Sequence, residues 1–287
     1  MKTHFVPFVC LVAGFFSAQA VGDVSFQGLG GSSASTITEA YDVSGNGSII
    51  VGAFRTDTGG GVYDYYPVRW VNGVREDLPM PGTGSYGGGR ANAVSDNGAG
   101  IAGWVAHTSQ WEACRWHYGA PERLGWLESS TVVQQQSYGY GITEDAEVVV
   151  GSSYYDELNP GRLKAFYWSG GTMSELPFLG TDTTSHAYGV ARPDDAPTDF
   201  VAVGRSGSVP CRWTYEQGED VVVHALDTLG FGTGRANAIS ADAETIVGYV
   251  GSFSSPEAVR WDGATAIALG LPGFANDVSG DGSLIVG

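Results

Sequence analysis

The 287-residue chain carries 31 acidic residues against 14 lysines and arginines, a formal charge of −17. A surface of that sign repels phosphate backbones and anionic lipid, which excludes nucleic acid and direct membrane insertion of this segment as expected partners. Its 44 glycines, 8 tryptophans and 14 tyrosines suit short strands joined by tight turns.

Residues 1–20 read as a secretory signal peptide. Lys2 gives a positive start, Phe5 to Phe16 is a short apolar run, and Ala18-Gln19-Ala20 is an A-x-A cleavage site. The run is too short to span a bilayer, and no later stretch is long and apolar enough to do so. The expected mature chain begins at Val21 and is exported, to the periplasm, the cell surface or the medium. It keeps two cysteines, Cys114 and Cys211, too few for a disulfide framework.

From Ala40 onward three phrases recur in fixed order. The first is AYDVSGNGSIIVG at Ala40, ANAVSDNGAGIAG at Ala91, GYGITEDAEVVVG at Gly139, ANAISADAETIVG at Ala236 and ANDVSGDGSLIVG at Ala275, with a degenerate, longer copy at Ala187. The second is PVRW at Pro67, ACRW at Ala113, AFYW at Ala165, PCRW at Pro210 and AVRW at Ala258. The third joins leucine to glycine or proline, as in LPMPG at Leu78 and LPFLG at Leu176. Self-similarity of this kind is the mark of a repeat fold.

Each phrase predicts a strand or a turn. AYDVS alternates, GNGS turns the chain, SIIVG is a buried strand, PVRW a third strand with a large aromatic, and VREDLP a fourth. No window repeats apolar residues at helical spacing. Four strands in roughly fifty residues is the size of a propeller blade. The expectation is an all-β fold, a β-propeller of about six four-stranded blades forming one domain over 21–287, with a long-coil β-solenoid as the alternative. Ser25 to Gly31 matches the leucine-glycine phrase, so the N-terminus is expected to share a composite or incomplete last blade with the C-terminal hairpin. That hairpin stops at Gly287 without its RW phrase, which reads as a fragment. Cys114 and Cys211 take the same slot in units separated by an intervening one, so they are expected to be free and buried.

These phrases resemble the HAF-family extracellular repeat of bacteria, whose pattern is a small residue, V-S-x-D-G with V-V-G, then A-F-x-W, then L-G. The resemblance runs from Ser25 to Gly287, with AFYW and AVRW as close copies and the PDDAPTD insertion at 193–199 as the main departure. It implies a secreted or surface-displayed repeat protein, often ahead of a sorting signal or an autotransporter barrel, and brings no catalytic residues to carry over.

Chemistry-bearing positions are few. Asp277, Ser279 and Asp281 alternate oxygens before a glycine as in a calcium loop, but a hairpin turn accounts for every copy, and no other cofactor is expected. GTGSYG at Gly82 fits G-x-G-x-x-G yet precedes a strand, so it reads as a linker. Arg69, Arg115, Arg212 and Arg260 precede the repeat tryptophans, where packing within the domain is the simpler role. The slot two residues before the repeat valine or isoleucine holds Tyr41, Asn92, Tyr140, Tyr188, Asn237 and Asn276. If that strand is innermost, the six form a ring able to hold a ligand or to bond one another between blades. The functional expectation is a non-enzymatic binding, adhesion or display module for an extracellular glycan or protein. The alternative is a carbohydrate-active enzyme with a pair of carboxylates at the channel mouth, one with a raised pKa. A third possibility is a structural segment of a larger adhesin. Three insertions are candidate partner surfaces: TDTGGGVYDYY at Thr56, YYDELNPGR at Tyr154, and PDDAPTD.

Overall fold

The computed structural model describes residues 28–29, 36–59, 62–82, 88–107, 110–127, 135–155, 162–193, 196 and 198–287, and among these every regular element is a β-strand. Residues 1–20, expected to be a signal peptide, and most of the Ser25–Gly31 phrase lie outside the described residues. Five four-stranded antiparallel sheets follow one another at 36–77, 89–125, 137–175, 185–225 and 234–272. Within each, the spatial order of strands is their order in sequence. A two-stranded sheet, Asp277–Val278 with Ile285–Val286, forms the sixth unit, which among the described residues is a single hairpin.

The turns explain the recurring phrases. Between first and second strands, Asn46 Oδ1 accepts from the Ser48 amide at 2.9 Å while Ser44 Oγ accepts from the Ile49 amide at 3.0 Å. Asn97 with Ser95, Asp145 with Thr143, Asp242 with Ser240 and Asp281 with Ser279 repeat the arrangement. A short side-chain oxygen at each of two positions supplies the turn's hydrogen bonds, which is why that spacing persists while its neighbours vary. Third and fourth strands are joined at Asn72-Gly73, Tyr118-Gly119 and Gly170-Gly171, where both residues have positive φ, as a tight two-residue hairpin of right-handed twist demands.

Packing runs between units. Val51 and Leu78 of the first unit cluster with Val94, Ile101 and Trp116 of the second. Leu124 and Ala102 of the second meet Val149, Phe166 and Trp168 of the third, and the pattern continues around the chain. The five repeat tryptophans, Trp70, Trp116, Trp168, Trp213 and Trp261, are all buried at the same slot. Their indole N–H groups reach back to the closing phrase of the preceding unit: Trp116 to the Pro79 carbonyl at 2.7 Å, Trp213 to Pro177 at 2.8 Å and Trp261 to Asp227 at 2.7 Å. Trp70, which has no complete unit before it, donates instead to the Leu29 carbonyl at 2.9 Å. Leu29 thus takes the acceptor place that a closing phrase fills in the other units.

The flank of the first unit is less covered. Val43 is 47% exposed, whereas its counterparts Val94 and Val190 are 7% and 9% exposed. Cys114 and Cys211 are free and buried. Arg69 and Arg115 pair with Glu76 and Glu122 of their own units, and the Arg115 guanidinium lies 4.4 Å from the Trp168 ring centre, so these two arginines pack within the fold. Among the described residues no helix is long and apolar enough to cross a membrane.

Candidate functional site

The first strand of each unit is innermost, and it is bulged. Its pairing with the second strand slips at one residue, skipping Tyr41, Asn92, Tyr140, Tyr188 and Asn237 in the five sheets. A bulge inserts an unpaired residue and re-aims its side chain. It also brings the inner backbone against the second strand. A Cβ on Gly52, Gly103, Gly151, Gly204, Gly248 or Gly287 would fall within 1.8–2.0 Å of an inner-strand carbonyl oxygen. The recurring glycine that closes each VVG phrase is therefore a clearance residue.

The six expected ring residues do come together. Tyr41, Asn92, Tyr140, Tyr188, Asn237 and Asn276 line one cavity of about 490 Å³ at the end of the channel where first and second strands turn. Asn92 donates to the Gly139 carbonyl at 2.8 Å and Asn237 to the Ala275 carbonyl at 2.7 Å, each tying its inner strand to the next unit. Tyr140 and Tyr188 lie 5.6 Å apart between ring centres. Asn92 and Tyr140 also line a second cavity, of about 500 Å³, so these two ring residues stand between two chambers.

The second chamber lies towards the opposite mouth and is lined by aromatic rings and one cation, Arg90. Its walls include Tyr65, Arg90, Trp104, Trp111, Tyr138 and Tyr140. Trp104, Trp111 and Tyr138 stand 5.3–6.2 Å from one another, and Trp111 is 43% exposed. Ring contacts continue from Tyr138 to Tyr140, Tyr188 and His186. The Arg235 guanidinium then bridges Tyr188 and Tyr249, at 4.8 and 5.6 Å from their centres, and Phe274 packs on Tyr249. Arg90 sits in the equivalent slot of the second unit, over Tyr41 at 5.5 Å and Tyr65 at 4.6 Å. Burial, with Arg205 and Arg235 nearby, lowers the His186 pKa to about 4, leaving a neutral imidazole among guanidinium groups.

Carboxylates gather at the other end. Asp42, Asp96 and Asp277 line the 490 Å³ chamber. Asp42 accepts from its neighbour Val43 at 2.7 Å and from Val94 of the next unit at 2.8 Å. Burial pushes its pKa up to about 7, helped by the charges of Asp277 and Asp96 and opposed by the two amide bonds. Asp277 is raised for the same reasons, burial first. The oxygens singled out for calcium are engaged locally: Asp277 accepts from Val278, Ser279 Oγ from Leu284, and Asp281 from Ser279 and Ser283. Those bonds hold the exposed Asp281 carboxyl down to about 2. Among the described residues no group of three or more His, Cys, Asp or Glu side chains is placed to hold a metal ion.

No family model matches the chain, and no curated protein matches it in sequence. Solved structures do. A protein assigned as TolB in Agrobacterium tumefaciens superposes with a TM-score of 0.51 at 13% identity, over 86% of this chain and 87% of its own. The β-propeller domain of the trilobed protease of Pyrococcus furiosus, described as having an open velcro topology, gives 0.50 at 11% identity, over 82% and 71%. This chain is a β-propeller. TolB from Acinetobacter baumannii is similar at a TM-score of 0.45 and 11% identity, and the chain spans 56% of that protein's length. Identities this low speak to the fold alone.

In the propeller frame two of the three insertions, at Thr56 and at Tyr154, fall between second and third strands, so their described ends lie at the aromatic mouth, while the described residues of PDDAPTD lie at the turn end. Parts of all three (60–61, 156–161, 194–195 and 197) are outside the described residues. Sequence reasoning missed Arg90, Arg235, Trp104 and Trp111. The repeated tetrapeptide GRAN, at Gly89 and Gly234, was the available signal for the arginines, because a residue two before the ring slot shares its face. The two tryptophans occupy no recurring phrase and had no such signal.

Proposed function

We propose that this propeller is an exported, non-catalytic recognition module of the HAF-repeat type, and that its ligand enters the aromatic mouth. The observation that carries the reading is the series of ring contacts from Trp111 through Tyr138 and Tyr140 to Tyr188, carried on by the Arg235 guanidinium to Tyr249 and Phe274, whose first three rings line a 500 Å³ chamber. Exposed, pre-packed aromatic rings offer large contact area at little cost in side-chain entropy. Rigid blades hold that surface while the mouth loops vary. The leader-like residues 1–20 support export to the periplasm, cell surface or medium. Probing glycan and peptide arrays with the mature chain tests the reading: a bound class is expected, with binding abolished by Trp111→Ala at unchanged melting temperature. Binding that survives both Trp111→Ala and Tyr138→Ala would place the ligand elsewhere.

One observation favours a second reading, catalysis on a carbohydrate. Asp42 and Asp277 belong to different blades, interact electrostatically and have raised pKa values. A carboxyl near neutrality is suited to general acid work. It lies at the turn end of the channel, however, and both Asp42 oxygens already accept backbone N–H groups. Cleavage of an oligosaccharide that is lost in Asp42→Asn would replace the binding reading with this one.

A further inference from the structure

The mouth combines two features that the binding reading alone does not require. One is the aromatic wall. The other is a set of guanidinium groups without acidic partners, in a protein with more than twice as many acidic as basic residues. Arg90 and Arg235 occupy the same slot in blades two and five, on opposite sides of a channel of six units. Each is held over the tyrosine of the preceding blade, Tyr41 or Tyr188. Arg205 pairs in register with His186, on the side of Arg235. Among the described residues none of the three forms an ion pair with a carboxylate, and the buried Nε atoms of Arg90 and Arg205 have no hydrogen-bond partner. The nearby acid, Glu39, is engaged instead by Arg55 and by the Tyr41 hydroxyl.

Guanidinium groups left without a counter-charge in a partly desolvated mouth favour an anion, and their planar donor fork suits a carboxylate. Two such groups on opposite walls ask for charge at more than one point along the ligand. Trp104 and Trp111 stand beside Arg90, and Tyr138, Tyr140 and Tyr188 lead on to Arg235, so the rings ask for apolar faces alongside those charges. A peptide C-terminus supplies one charge and no flat faces. A chain of acidic sugars supplies both, since each pyranose carries a carboxylate on its rim and presents C–H faces to stack on tryptophan and tyrosine. Asn92 and the tyrosine hydroxyls add hydrogen-bonding groups for the sugar hydroxyls.

Building on the proposed recognition role, we infer that the ligand is a carboxylated sugar chain, bound with its pyranose faces on Trp104, Trp111 and Tyr138 and its carboxylates on Arg90 and Arg235. Titration of the mature chain with a galacturonate hexamer, its fully methyl-esterified form and hexaglutamate tests this. The hexamer is expected to bind at least about tenfold more tightly than either comparison. Its affinity should fall as salt rises from 50 to 500 mM, because the contact is between charges. Arg90→Gln and Arg235→Gln should each weaken it by about tenfold while leaving the ester's affinity unchanged. Equal binding of hexamer and ester, both lost in Trp111→Ala, would overturn the acidic part and keep recognition at the mouth. Hexaglutamate binding as tightly as the hexamer would overturn the sugar part, and no binding by any of the three would overturn the inference, leaving the array result to judge the broader reading. The ester and peptide comparisons use the unaltered protein, so a misfolded arginine variant cannot mask the outcome.

Discussion

Gly103 shows how one missing methyl group can shape a channel. Its alternative, alanine, would put Cβ 1.9 Å from the Arg90 carbonyl oxygen, and no side-chain rotation relieves a clash between Cβ and backbone. Gly103→Ala should therefore destabilise by at least about 3 kcal/mol, read from urea unfolding. A variant within about 0.5 kcal/mol of wild type would mean that the bulge is not there. Asp42 gives a second test. Its pKa of about 7 lies above the ordinary carboxylate value near 4, so the folded chain binds this proton more tightly than the unfolded chain does. Asp42 therefore contributes a loss of stability as pH rises from about 4 to about 7, at up to about 1.4 kcal/mol per pH unit, with Asp277 acting in the same direction. Asp42→Asn should flatten that part of the stability profile, because an amide takes up no proton there. An unchanged slope would show that Asp42 titrates normally.

At the scale of elements, protection should follow how many neighbours a blade has. The second, third and fourth blades are packed on both flanks, whereas the two-stranded sheet meets the fifth blade through Ala275 and Val278 and leaves Leu284 and Val286 exposed. Amide exchange should therefore be fastest in 277–286 and slowest in the inner two strands of the middle blades. Uniform protection across all units would contradict packing by neighbours. Much of this organisation was legible in the sequence. The Ser-x-Asn and Ser-x-Asp turns and the buried tryptophans recur because every blade meets the same local demand, and Tyr41 to Asn276 share one repeat slot that forms a ring provided the first strand is innermost. The bulge was not legible. It depends on the pairing of two strands, and the glycine of each VVG phrase reads as a strand end until the inner carbonyl is seen against it. Arg90 and Trp111 were hidden for a related reason: one follows a linker, the other occupies no recurring phrase, and only the pairing of the second blade's strands puts them in one wall.

For the molecule as a whole, the two ends of the channel differ in sign. Asp42, Asp96 and Asp277 crowd the turn end, and Arg90, Arg205 and Arg235 the aromatic mouth, on either side of the tyrosine and asparagine ring. A surface of net charge −17 disfavours anions in general, so an anionic ligand that binds here must be drawn by that local field and by ring contacts. The most direct measurement compares the affinity of the tightest array ligand for the unaltered chain, for Trp111→Ala and for Asp96→Asn. Loss of at least about tenfold in Trp111→Ala, with Asp96→Asn within about twofold of wild type, is the result expected of a mouth that recognises its ligand. The reverse pattern, with Asp96→Asn weakened and Trp111→Ala unaffected, would move the site to the acidic end and contradict the account.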